Sequence, residues 1–176
     1  MKVELKILIP EEEIKKRLKE LGREISEAFN GEKVTAVCIL KGAFIFTADL
    51  IREMKTEVEV EFMRIKSYDG MEKREDKLLY DVECDIKGKN VLIIDDILDT
   101  GGSLKFAKKE LKKREPAQLK TCVLLEKERE KDFKADFVGF KIPDKFVVGY
   151  GLDVNELYRD LPYIAVAEND NIRSER

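Results

Sequence analysis

Apolar residues in this chain fall in short runs separated by polar stretches. The runs at Val34–Leu40, 58–65, 91–94, 121–125, 137–140 and 146–148 read as buried strands. Over 11–29 the period changes: Ile14, Leu18, Leu21, Ile25 and Phe29 recur every three or four positions, which predicts a helix with one apolar face. Segments 44–54 and 104–113 predict two more helices. Short apolar strands that alternate with helices argue for an α/β fold, with a mostly parallel sheet covered on both faces. No repeat or linker-like stretch interrupts the pattern, so one domain is expected over 1–176. Segment 67–77, SYDGMEKREDK, cannot bury much and is too long for a tight turn. It is expected to be either a disordered loop or a functional lid.

Composition removes several function classes. Charged residues make up 40% of the chain, yet the net charge is only -3, so the two signs are interleaved and no basic excess points to nucleic acid. No apolar run is long enough to span a membrane, and the first ten residues lack the apolar core of a signal peptide, so a cytoplasmic protein is expected. Cys38, Cys84 and Cys122 show no CxxC spacing and read as reduced thiols. The absence of histidine excludes a Ser-His-Asp triad, a Cys-His pair and histidine-bound zinc.

The candidate chemistry lies in 91–103, VLIIDDILDTGGS. A buried strand delivers Asp95 and Asp96 to its carboxyl end, where ligands bind in open α/β sheets. Asp99, Thr100, Gly101, Gly102 and Ser103 follow, and then a helix begins. A Gly-Gly turn entering a helix exposes backbone N–H groups that can cradle a phosphate. Three carboxylates beside that cradle would repel a bare phosphate. They suit a sugar phosphate whose hydroxyls, or an associated divalent cation, face the acids. The alternative is an ordinary helix cap with solvated aspartates.

This segment resembles the phosphoribosyl-pyrophosphate (PRPP) motif of type I phosphoribosyltransferases. Leu40-Lys41-Gly42 is similar to that family's pyrophosphate loop, and Ser67-Tyr68 to the start of its lid. The stretches FKIPDKFVVGYGLD, at 140–153, and YRDLP, at 158–162, resemble the hypoxanthine-guanine branch. The resemblance implies the type I fold, with a small hood formed by the chain termini. It implies ribose and metal contacts for Asp95 and Asp96, where this branch more often has Glu-Asp. Asp99 takes the place of the general acid/base, and Thr100, Gly101, Gly102 and Ser103 that of the 5′-phosphate site. Leu40, Lys41, Gly42 and Arg159 match the pyrophosphate contacts, and the peptide before Lys41 matches one that can be cis. Lys127 matches the purine O6 donor, with Lys131 as fallback; Phe146 matches the stacking aromatic, and Val147 the backbone that reads the base edge. Asp153 matches a second metal ligand on the purine side. Magnesium, with manganese possible, is the implied cofactor; PRPP and 6-oxopurines are the implied ligands, and a homodimer or homotetramer the implied assembly.

Rival readings are a PRPP-sensing regulator of the same fold and an orotate, uracil or xanthine enzyme of the superfamily. A phosphoacceptor receiver domain would carry its acidic pair after the first strand, whereas here earlier strands precede it. A P-loop nucleotidase is excluded because GxxxxGK[ST] does not occur.

Overall fold

A computed structural model describes residues 4–69 and 74–168. The elements in chain order are β1 (Glu4–Ile9), α1 (Glu11–Ala28), β2 (Val34–Leu40), α2 (Phe44–Glu53), β3 (Val58–Asp69), β4 (Arg74–Tyr80), β5 (Asn90–Leu98), α3 (Gly102–Lys112), β6 (Gln118–Lys127), β7 (Phe137–Ile142), β8 (Val147–Val148) and β9 (Ile164–Glu168). Six strands form the main sheet in the order β4-β3-β2-β5-β6-β7. All neighbours are parallel except the β3–β4 pair at one edge.

Both faces of the sheet are covered, which explains the unbroken apolar runs. Val34, Ala36, Leu92, Ile94, Cys122 and Leu124 pack with Ile14, Leu18, Leu21 and Ile25 of α1 and with Phe46 and Leu50 of α2. The alternate residues Val37, Ile39, Val91, Ile93 and Val123 face α3 through Leu104, Ala107 and Leu111. Cys38 and Cys122 are buried, Cys84 is half-buried, and all three are free thiols. Burial raises the thiol pKa of Cys38 to about 11.

The other strands build a second sheet, β1-β9-β8, antiparallel throughout, so segments from both ends of the chain make the expected hood. β1 and β9 were not among the predicted strands. β1 is mostly exposed on its own and is held by its pairing with β9, a long-range contact that local pattern does not encode.

Segment 67–77 differs from the loop expected. Ser67 and Tyr68 pair with Asp76 and Glu75 as β3 and β4 run out together in an antiparallel hairpin. The polar sequence fits an arm that has no core to cover. Residues 70–73, Gly70 among them, lie outside the described residues.

Candidate active site

β5 continues four residues past its predicted end because its backbone ladder to β6 continues. Asp95 lies opposite Val123, and Ile97 and Leu98 opposite Leu125 and Glu126. The acidic pair is therefore held in a strand rather than a loop. Asp95 is buried, and its Oδ1 accepts the Asp96 N–H at 2.9 Å. Asp96 Oδ1 accepts the Ile97 N–H at 2.7 Å. Burial pushes the Asp95 carboxyl well above the ordinary range, and the neighbouring Asp96 charge pushes it further. Burial raises Asp96 too, against hydrogen bonds and the pull of Arg159. A buried carboxylate with a second, half-buried one beside it is a standing demand for a cation or for hydroxyl donors.

Beyond Asp99 the chain turns into α3. Gly101 occupies the N-cap position at φ 90°, with no side-chain cap. The turn needs glycine on two counts: that φ is left-handed, and a Cβ there would lie 2.7 Å from Phe133 Cβ. With no side-chain cap, the first N–H groups of α3 lack an intrahelical acceptor, and Thr100 and Ser103 flank this turn in sequence, as a phosphate cradle requires. A cavity of about 350 Å³ gathers Leu40, Gly42, Asp95, Asp96, Asp99 and all of 100–103. Ile65, at the root of the β3–β4 arm, also lines it.

The loop after β2 closes the other side of this cavity. The Leu40–Lys41 peptide is cis, as anticipated. At Gly42 a Cβ would sit 1.8 Å from Asp96 Oδ2, and at Gly151 one would sit 2.2 Å from the Gly42 carbonyl oxygen. Gly42 thus leaves space for the Asp96 carboxylate on one side and takes the Gly151 backbone at close range on the other. Arg159 fastens the hood segment there: its guanidinium donates to the Gly151 carbonyl at 2.7 Å and pairs with Asp153 at 3.3 Å. Lys41 Nζ reaches Glu156 at 2.8 Å, and Asp153 accepts the Glu156 N–H at 2.9 Å. Among the described residues no three acidic, cysteine or histidine side chains gather into a metal-holding group. Asp95, Asp96 and Asp153 are therefore not a self-contained metal centre, and an ion at the acidic pair needs further oxygens from a ligand.

At the end of β6, Lys127 is buried with its Nζ 3.2 Å from Asp99 Oδ2 and 3.4 Å from Asp144 Oδ1. Arg129 donates to Asp99 Oδ1 at 2.7 Å. Burial raises the Asp99 pKa, but Lys127 and Arg129 together outweigh it and hold the carboxyl below its ordinary range. Lys131 is committed elsewhere: its Nζ lies 2.7 Å from the Lys127 carbonyl, 3.0 Å from the Arg129 carbonyl and 3.2 Å from Glu126. That leaves Lys127 as the lysine beside Asp99. Phe146 is partly buried against Val148 and Ala167, and Val147 is paired with Val166. Sequence reasoning did not single out Arg129, Asp144 or Glu156. Asp144 lies inside the quoted FKIPDKFVVGYGLD stretch, whereas Arg129 and Glu156 carry no signal beyond charge.

A larger cavity, about 560 Å³, lies between α1, α2 and residues 150–162. None of the predicted site residues lines it. Carboxylates, the start of α3 and glycine turns converge instead on the smaller cavity.

The phosphoribosyl transferase domain family matches residues 7–155. A hypoxanthine-guanine phosphoribosyltransferase of Aquifex aeolicus is 49% identical over 170 residues, covering 94% of this chain and 96% of that protein. The crystal structure of a hypoxanthine-guanine phosphoribosyltransferase from Bacillus anthracis superposes with a TM-score of 0.89 at 42% identity, covering 95% of this chain and all of that one. A hypoxanthine phosphoribosyltransferase from Trypanosoma cruzi, solved with its product IMP, superposes with a TM-score of 0.86 at 38% identity, covering 94% and 95% of the two chains.

Proposed function

The chain belongs to the phosphoribosyl transferase family, and we propose that it is a purine-salvage enzyme that moves the 5-phosphoribosyl group of PRPP onto hypoxanthine or guanine, giving IMP or GMP and pyrophosphate. The observation that carries this reading is one cavity with a phosphate cradle at 100–103 and the acidic pair Asp95-Asp96, flanked by Asp99 held to Lys127.

Each part has a role in the reaction. The N–H groups at the start of α3, with Thr100 and Ser103, hold the 5′-phosphate. Asp95 and Asp96 accept the ribose hydroxyls. Lys41, Gly42 and Arg159 hold the pyrophosphate, which carries off the C1′–O electron pair as purine N9 bonds to C1′. Asp99 takes the N7 proton. Lys127 donates to O6, Phe146 stacks on the base, and the Val147 backbone reads its edge.

The acidic pair also fits a metal. It offers only oxygen, the donor that magnesium and manganese prefer. Asp95 and Asp96, together with PRPP oxygens, would hold the ion, with Asp153 contributing from the purine side. When bound, the ion would supply charge neutralisation to the pyrophosphate leaving group. Purified protein given PRPP, hypoxanthine and magnesium should form IMP and pyrophosphate one for one. Excess chelator should abolish this, and magnesium should restore it. Full activity in chelator would remove metal from the account.

The β3–β4 arm is the lid. It extends from a strand whose Ile65 lines the cavity, and its polar sequence suits cover over a charged substrate. Amide exchange over 67–77 should slow markedly when PRPP and a non-reactive purine analogue are added. Equal exchange in both states would leave the arm with no closing role. Exposed Phe44, Val60 and Phe62 support a homodimer or homotetramer. No helix among the described residues is long and apolar enough to cross a membrane.

A further inference from the structure

Four charged groups at the purine end close into a ring. Asp99 Oδ2 lies 3.2 Å from Lys127 Nζ, and Lys127 Nζ lies 3.4 Å from Asp144 Oδ1. Asp144 Oδ2 is 3.9 Å from Arg129, which returns to Asp99 Oδ1 at 2.7 Å. Local structure builds the ring from two turns. In one, the Arg129 N–H donates to the Lys127 carbonyl at 2.9 Å, and Lys131 clamps both carbonyls, which brings Arg129 back over Asp99. In the other, the Lys145 N–H donates to the Pro143 carbonyl at 2.7 Å, and this tight turn presents Asp144.

We infer that Asp144 is a positioning residue for the transfer reaction: as the second counter-ion of Lys127 and Arg129, it keeps Asp99 from being consumed as the sole partner of two cations. The inference rests on the roles of Asp99 and Lys127 proposed above. With Asp144 present, two acids balance two cations. Without it, one carboxylate faces both. A carboxylate so held is a poorer proton acceptor, because taking a proton would leave two cations unpaired. Asp144 also pairs with the Lys127 ammonium at 3.4 Å, a second anchor for it beside Asp99. Asp144 is about half exposed at 49%, so water screens its charge and the effect is modest.

The test is the single-turnover rate of IMP formation from PRPP, hypoxanthine and magnesium, measured for the parent, Asp144→Asn, Arg129→Gln, the double variant and Asp99→Asn. Asp144→Asn should slow the step by about tenfold, with PRPP affinity unchanged. Adding Arg129→Gln should restore most of that rate, because one acid then again faces one cation. A residue that merely holds the fold would give losses that multiply. Parent-like turnover in Asp144→Asn, or a double variant slowed by the product of the two single effects, overturns the inference. If Asp99→Asn is slow while Asp144→Asn is normal, only this inference falls. If Asp99→Asn itself runs at the parent rate, the Asp99 assignment falls with it.

Discussion

Asp99→Asn should lower kcat by about 100- to 10,000-fold and leave PRPP binding nearly intact. The proton on N7 must leave as the base becomes a nucleotide, and Asp99 is the carboxylate between the phosphate cradle and Lys127. Asparagine has the same shape but cannot take a proton. Its amide nitrogen would also face Lys127 or Arg129, which now contact the two carboxylate oxygens. The phosphate cradle and the acidic pair are untouched, so the loss should fall on kcat. Because Lys127 and Arg129 hold the Asp99 pKa below its ordinary value, the base stays ionised across neutral and mildly acidic pH. Any fall in kcat between pH 5 and 8 should then come from other groups. The stability contributed by this low pKa is present above the unfolded-state pKa of about 4, and is lost as acid protonates the folded carboxyl. Near-parent turnover in Asp99→Asn would refute its role.

Lys127→Gln should narrow the preference for 6-oxopurines over adenine, which in the parent should reach about 10⁴-fold or more. An ammonium only donates. O6 of hypoxanthine or guanine accepts from it, whereas adenine presents an amino group and sets donor against donor. Lys127 is buried, so water cannot relieve that mismatch. Its approach is also fixed, because Asp99 and Asp144 both pair with the ammonium. Stacking on Phe146 cannot supply the discrimination, since every purine offers a similar π-face. Glutamine can donate or accept and should tolerate both bases. The readout is kcat/KM for hypoxanthine, guanine and adenine in both proteins. An unchanged ratio in Lys127→Gln would move the determinant to the Val147 backbone.

The central parallel strands and all three helices were legible because their apolar period is set by burial on two faces of one sheet. The core of the site was legible for a different reason. Residues 95–103 form one continuous strand-turn-helix, so their spacing in sequence is their spacing in space. β1 and β9 escaped because each is completed by a partner some 160 residues away. The 67–77 segment was misjudged as a loop because polarity normally marks turns, and here it marks a hairpin arm beyond the core. Arg129 and Asp144 escaped because their meaning lies in the ring with Asp99 and Lys127, formed by two turns whose geometry no local pattern announces.

The measurement that bears most directly on the central claim is nucleotide formation from PRPP and magnesium with a panel of bases: hypoxanthine, guanine, xanthine, adenine, uracil and orotate. Rapid conversion of hypoxanthine or guanine, with adenine and both pyrimidines slower by orders of magnitude, is the expected result. Conversion of a pyrimidine in preference to every purine, or PRPP binding with no nucleotide formed from any base, would contradict it.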